Sequence, residues 1–305
     1  MKRKFLGFTV FILVAAILLA GCGQEKAAPG GKAETGPGTS KQEFTIGIIP
    51  QQSQGAVKTA MDKLQEVLQK NLNRPVKITV YPDYNGVVEA MNYHKVDMAY
   101  FGPLTFVVAN QKSGAQAIIA ELINGDPHYQ SYIITRKDSG IASLDDLKQK
   151  AAQSTFAFGD PESTSGALFP SIELKELGLF TDKNNHKFKQ VVYTGSHDAT
   201  ALAIKQGNAQ VGGIDSVVFG ILDKKGTIHA DDFRILWQSK KLFEYPWAVQ
   251  KDTDPALIKQ IQDAFISIKD PEILDAFGAS GFTTAKTSDF DDIKQAAESM
   301  GRLVK

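Results

Sequence analysis

From Phe44 onward the chain switches between two hydrophobic periods, and this switching constrains its fold more than any other feature. Phe44-Thr45-Ile46-Gly47-Ile48-Ile49 reads as a strand, Val57, Ala60, Met61, Leu64, Val67 and Leu68 fall on one helix face, and Val76-Lys77-Ile78-Thr79-Val80 reads as a second strand. That is a βαβ unit. The pattern continues with a helix through Val87, Val88 and Met91, the short strand Val96 to Tyr100, and a helix opened by Pro103, where a missing N–H costs nothing. Tyr132 to Thr135 is strand-like, and Ser143 begins a helix with Asp145 and Asp146 in its first turn. Further strand-like runs are Thr155 to Phe158, Phe188 to Tyr193 and Gln210 to Ile214, the last followed by a helix through Val217, Phe219 and Ile221. Phe233 to Trp237 and Tyr245 to Val249 read as extended. The end reads as helical, through Leu257, Ile261, Phe265 and Ile268 and then from Ile293 to Leu303. No internal repeat is evident.

Two strand-to-helix corners stand out. The first, Asp160-Pro161-Glu162-Ser163-Thr164-Ser165-Gly166-Ala167-Leu168-Phe169-Pro170, precedes a helical pattern carrying Leu168, Ile172, Leu174 and Leu177. Three hydroxyl residues and a glycine at a helix start bring O–H groups and unpaired backbone N–H groups to the positive end of the helix dipole, which suits a small oxyanion. One hydroxyl also fits simply as the N-cap, with its neighbours in water. The second corner, Thr194-Gly195-Ser196-His197-Asp198-Ala199-Thr200, has the same build. Two such helix starts suggest one pocket, since open α/β sheets bind ligands beyond the carboxyl ends of their strands.

These corners, with Tyr100-Phe101-Gly102-Pro103-Leu104 before them and Gly213-Ile214-Asp215-Ser216 after, resemble in order and spacing the phosphate/phosphite/phosphonate-binding family, the substrate-binding proteins of phosphonate and phosphite ABC importers. The resemblance covers nearly all of the chain after the linker. It implies a two-lobed α/β fold of the type II periplasmic-binding-protein kind, each lobe a mixed sheet flanked by helices, with the ligand in the interlobe cleft. Residues 44–131 plus 246–305 would form one lobe and 132–245 the other. Ser163, Thr164, Ser165 and His197 are implied as ligand contacts from one side of the cleft, and Tyr100 and Tyr84 from the other.

Their chemistry alone leaves other roles open. His197 could cap its own helix, and Tyr84 and Tyr100 could be boundary residues with ring inside and hydroxyl outside. Asp198 and Thr200 fit a cap and a helix surface. Asp215 is an unexpected neighbour for an anion, because like charges repel unless one holds a proton. A carboxylate there would accept a hydrogen bond from a protonated ligand oxygen or meet the amino group of an aminoalkylphosphonate. It fits equally as the N-cap of a helix starting near Ser216. Pro50 to Gln54 is a further lining candidate.

The N-terminus reads as a leader over residues 1–21: Lys2, Arg3 and Lys4 precede the apolar run Phe5 to Ala20, too short for a spanning helix. Leu19-Ala20-Gly21-Cys22 resembles a bacterial lipobox, and Cys22 is the only cysteine, so acylation explains it where a disulfide does not. Residues 22–43, rich in Gly, Pro, Ala, Ser and Thr, read as a linker that would hold a lipid-anchored domain clear of the membrane, on its extracytoplasmic face.

Loss of the leader removes three basic residues and no acid, which leaves a small negative excess and no basic field for nucleic acid. Local donors and dipoles still suffice for a small anion. The five histidines show no close pairing, and there is no cysteine pair, Walker loop or dinucleotide fingerprint, so neither a metal nor a cofactor is expected.

The expected function is a monomeric, lipid-anchored receptor that takes a phosphonate, phosphite or related phosphorus oxyanion and delivers it to ABC permease and ATPase subunits. A receptor for a sulfonate- or nitrate-type oxyanion is the alternative. A hydrolase is a remoter one, since Ser163, His197 and Asp215 run in nucleophile, base, orienter order, but no Gly-x-Ser-x-Gly elbow surrounds the serine.

Overall fold

The computed structural model describes residues 42–303. The expected leader, Cys22 and nearly all of the expected linker lie outside the described residues. Among the described residues no helix is long and apolar enough to cross a membrane.

Two mixed sheets carry the molecule, one in each lobe. The first has six strands in the order Gly281–Thr284, Gln116–Leu122, Pro246–Val249, Met98–Tyr100, Phe44–Ile48 and Val76–Val80. Phe44–Ile48 runs parallel to both of its neighbours, while Pro246–Val249 is antiparallel to both of its own. The second sheet has five strands in the order Gln190–Tyr193, Thr155–Phe158, Val211–Asp215, Ser131–Arg136 and Phe233–Gln238. Its first three strands are parallel and the last two antiparallel to what they adjoin. Between the sheets the two crossing segments pair with each other, His128–Tyr129 against Leu242–Phe243.

Each lobe has its own apolar interior. Trp247, Phe265, Phe277 and Phe282 meet edge-on or tilted in the first lobe. In the second, Phe156, Phe158, Phe180 and Phe188 fill one sheet face, and Ile134, Ile204, Ile214 and Ile228 the other. Burying each phenylalanine contributes about 1.5–3 kcal/mol.

Two strands of the large sheets escaped the sequence reading. Gln116–Leu122 lies inside the first sheet, and Gly281–Thr284 forms its edge where only helix was expected. Gln-Ala-Ile-Ile-Ala-Glu-Leu is made largely of good helix formers, and sheet neighbours on both sides override that preference. The final helix, Asp291–Ser299, also stops short of Leu303.

A glycine pair sets the depth of the second lobe's site. A Cβ at Gly212 would lie 2.6 Å from the Ala157 carbonyl oxygen and 2.9 Å from Thr200 Cγ2, and one at Gly213 would lie 2.7 Å from Pro170 Cγ. Successive strand residues face opposite sides. The helix after each corner therefore packs directly on bare backbone, one from each face, just ahead of Asp215.

Candidate functional site

The first corner is a π-helical turn. Ser163 Oγ accepts from the Gly166 N–H at 3.0 Å, Thr164–Leu168 widens into one π turn closed by Leu168 N–H to the Ser163 carbonyl at 3.0 Å, and helix Phe169–Glu176 follows. Single π turns inside helices recur at functional sites. Ser163, Thr164 and Ser165 are all buried. Ser163 is thus both the cap and a wall of the site.

At the second corner Ser196 caps helix His197–Lys205. His197 is fully buried, and its Nδ1 accepts from the Asp215 backbone N–H at 3.3 Å. The proton therefore sits on Nε2, which lies 3.3 Å from Tyr245 Oη. Burial holds the imidazole at about 4, so it is neutral at pH 7 and donates from Nε2 without carrying charge. The corners converge at Gly166, where an added Cβ would lie 2.9 Å from Ser163 Oγ and 3.1 Å from His197 Cε1.

Asp215 ends strand Val211–Asp215. Its Oδ1 accepts from the N–H groups of Val217 and Val218 at 2.7 and 2.9 Å and caps helix Ser216–Lys224, while Oδ2 lies 3.5 Å from Ser165 Oγ. Burial nonetheless raises this carboxyl to about 6. Ser163, His197 and Asp215 form no catalytic relay: the serine oxygen is spent on a cap, and the imidazole is oriented by a backbone N–H in place of a carboxylate.

The first lobe supplies a tyrosine wall. Tyr84 Oη faces Ser163, and Tyr129 Oη faces Ser165 and Thr164, yet both phenols are buried without completing a hydrogen bond. Tyr100 Oη accepts from Gln51 Nε2 at 3.2 Å, and its ring stacks on Tyr245 with centroids 5.7 Å apart. Tyr100 is therefore an aromatic wall whose oxygen already accepts one hydrogen bond, and the buried phenols with no partner are those of Tyr84 and Tyr129.

Sequence reading missed Tyr129, Tyr245, Glu121 and Glu244. Glu244 Oε2 accepts from the Tyr245 N–H at 2.9 Å, and Glu121 Oε1 from Trp247 Nε1 at 3.2 Å, but Glu244 Oε1 and Glu121 Oε2 have no partner. Burial pushes Glu121 up to about 8 and Glu244 well above the ordinary carboxylate range. A lone acid inside the apolar run Ala-Ile-Ile-Ala-Glu-Leu was the available signal for Glu121. Among the described residues no Lys or Arg is buried, and no three metal-ligating side chains are close enough to hold an ion.

The lobes meet around this site, and the second lobe caps helices of the first. Helices Gln54–Leu72 and Pro103–Ser113 have no side-chain cap from their own N-cap residues. Asp198 accepts from the N–H of Ser53 at 3.0 Å and from its hydroxyl, and Thr164 Oγ1 accepts from the Leu104 N–H at 2.8 Å. Asp160 Oδ2 likewise takes the Tyr84 N–H at 3.4 Å, and the Gln51 carbonyl takes the His197 N–H at 3.1 Å. Asp198 was expected to serve a cap and Thr200 the helix surface. Asp198 Oδ1 does accept from the Ala199 N–H at 2.9 Å in the first turn of its own helix, while Oδ2 spans the cleft, and Thr200 is buried beneath the corner at 2.6 Å from Thr194 Oγ1. At the rim, Arg302 holds Glu162 at 2.7 Å and the Pro161 carbonyl at 2.8 Å. Gly278, with φ of 65°, lets Val217 approach where a Cβ would lie 2.5 Å from Val217 Cγ1.

Residues 46–290 match the family described as ABC transporter, phosphonate, periplasmic substrate-binding protein. The chain is 29% identical over 257 residues to the phosphate-import protein PhnD of Mycolicibacterium smegmatis, spanning 82% of this chain and 78% of that one. It is 29% identical over 267 residues to the phosphonates-binding periplasmic protein of Escherichia coli, spanning 84% and 76%. Among solved structures, PhnD1 of Prochlorococcus marinus in complex with methylphosphonate superposes with a TM-score of 0.76 at 23% identity, over 86% of this chain and 99% of that one.

Proposed function

Because this chain belongs to the periplasmic substrate-binding proteins of phosphonate ABC transporters, we propose that it captures an aminoalkylphosphonate between its lobes, with residues 44–131 plus 246–305 as one lobe and 132–245 as the other. As a family member it is a transport receptor and not an enzyme. The phosphonate group sits at the convergence of the two corners, taking hydrogen bonds from the hydroxyls of Ser163 and Ser165 and from His197 Nε2. Hydrogen bonds to a charged group of this kind contribute about 1.5–3 kcal/mol each. The ammonium group sits toward Asp215 and Glu244, and Tyr84, Tyr100, Tyr129 and Tyr245 enclose the carbon chain.

The supporting observation is a set of buried acids, Asp215, Glu244 and Glu121, beside an anion-seeking corner, with no buried Lys or Arg among the described residues to balance them. A simple anion gains nothing from such neighbours, whereas a zwitterion matches both ends. Sulfonate and nitrate, ionised and without a proton to share, fit Asp215 least. A second reading keeps the hydroxyl corner and makes Asp215 Oδ2, at 3.5 Å from Ser165 Oγ, the acceptor for a proton on a phosphite or methylphosphonate monoanion.

Calorimetry with 2-aminoethylphosphonate, methylphosphonate, phosphite, phosphate and sulfate tests this. The aminoalkyl ligand binds tightest under the proposal, and tighter binding of methylphosphonate or phosphite transfers support to proton sharing. Cys22 carries the lipid anchor in this proposal, holding the receptor on the extracytoplasmic face of the membrane, where it meets the permease as a monomer. Cys22→Ala then moves the protein from the membrane to the soluble fraction.

A further inference from the structure

Glu121 lies on strand Gln116–Leu122, between Pro246–Val249 and Gly281–Thr284, and is 1% exposed. The groups facing it are Trp247 Nε1, which donates to Oε1, the Tyr100 hydroxyl, which leans on the same carboxyl, and the neighbouring acids Glu244 and Asp215. None is cationic. No Lys or Arg is buried among the described residues, and the one buried imidazole, His197, is held neutral on the far side of the cleft.

A carboxyl placed only for packing has no reason to leave an oxygen idle. Trp247 satisfies this one from one side, yet Oε2 is buried without a partner, as is Oε1 of Glu244. A buried carboxylate needs a counter-charge or a proton. Among the described residues no group supplies the charge, and no three His, Cys, Asp or Glu side chains are close enough to hold a metal ion.

We propose that Glu121 is a specificity-determining residue of the cleft: with Glu244 it holds a proton in the empty receptor and gives it up to solvent when the ligand's ammonium group arrives. The acid O–H bond breaks, its proton passes to the buffer, and an ammonium N–H donates to the carboxylate left behind, so that one positive charge replaces another. Burial pushes Glu121 up to about 8, which agrees with a resident proton at neutral pH. The inference rests on the aminoalkylphosphonate reading above and extends it to a residue beyond the Asp215 and Glu244 pair.

Calorimetric titration of the full-length protein at pH 7, in two buffers of different ionisation enthalpy, counts the protons exchanged. Binding of 2-aminoethylphosphonate releases protons and binding of methylphosphonate does not. Glu121→Gln at least halves the release and weakens 2-aminoethylphosphonate about tenfold, while methylphosphonate stays within about threefold. Glu121→Met, which keeps the volume without a polar group, behaves alike, and retained methylphosphonate binding reports an intact cleft. Unchanged release and affinity in Glu121→Gln overturn the inference, and so does an equal loss for both ligands in both variants, which assigns the residue to packing. If the wild-type protein binds methylphosphonate as tightly as the amine, the underlying reading fails as well. A wild-type preference for the amine that survives in Glu121→Gln refutes this inference alone.

Discussion

Thr164 Oγ1 accepts a hydrogen bond of 2.8 Å from the backbone N–H of Leu104 on the opposite lobe. One member of the hydroxyl trio is therefore occupied by the protein itself: it caps the Pro103–Ser113 helix, whose N-cap position is Gly102 and has no side chain to offer. Closing the cleft and finishing that helix are the same event. Thr164→Val keeps the shape and deletes the acceptor. It should weaken every ligand by about 1 kcal/mol, the usual value of a cap, with 2-aminoethylphosphonate and methylphosphonate affected equally in calorimetry. A loss confined to one ligand would show that Thr164 touches the guest.

Asp198 and Ser53 form the matching pair at the other side of the cleft. Asp198→Ala and Ser53→Ala should each lower affinity, and the double variant should fall short of their sum, with a coupling of about 0.5–3 kcal/mol for groups in direct contact. Small-angle scattering of the liganded variants should show a larger radius of gyration than the wild type. Strict additivity would contradict the latch.

Ser165 and His197 present the least committed donors at the corner, with Ser165 Oγ only at 3.5 Å from Asp215 and His197 Nε2 at 3.3 Å from Tyr245 Oη. Ser165→Ala and His197→Ala are each expected to weaken phosphonate binding about tenfold or more, from loss of a hydrogen bond to a charged group. Unchanged affinity in either variant removes that residue from the site.

Asp215→Asn separates the two ligand readings. Under the ammonium reading it costs 2-aminoethylphosphonate most and leaves phosphite nearly untouched. Under proton sharing it relaxes the preference for monoanions over dianions, because the repelling charge is gone. Competition between phosphite and phosphate across pH measures the second effect.

Stability should depend on pH in a direction opposite to ordinary acid denaturation. The folded value of Glu121 is about 8 against an ordinary 4.5, so the folded chain binds more protons than the unfolded one between these limits, and stability falls as pH rises through them. His197 acts in the other sense: its folded value near 4 lies below the ordinary 6.5, and its stabilisation is lost as pH falls across that interval. From pH 6.5 to 8, of these two groups only Glu121 titrates, so Tm of the unliganded protein should drop, and Glu121→Gln should flatten the drop. A wild-type Tm that climbs over this interval contradicts the assignment.

The corners were legible because helix starts advertise themselves locally. Ser163, Ser196 and Asp215 all cap in the structure, and each sits where a strand-like run gives way to a helical one. Strand Gln116–Leu122 was not legible, since its composition favours helix and only its sheet neighbours make it a strand. Nor were the contacts across the cleft: Ser53 and Asp198 are 145 residues apart, and no local pattern pairs them. Glu121 and Glu244 escaped for a related reason. A single acid in an apolar run carries meaning only once its partnerless oxygen is seen.

The borrowed caps have a further consequence. Water must serve the amides of Leu104 and Ser53 when the lobes part, so the empty receptor already has a reason to close, and its measured affinity is the intrinsic one scaled by the closed fraction. Under the proposed reading, changes at Thr164, Asp198 or Asp160 reset that fraction for all guests alike, whereas changes at Asp215, Glu244 or Glu121 reorder the guests. Tightness and choice are thereby written in different residues, and each can drift without disturbing the other.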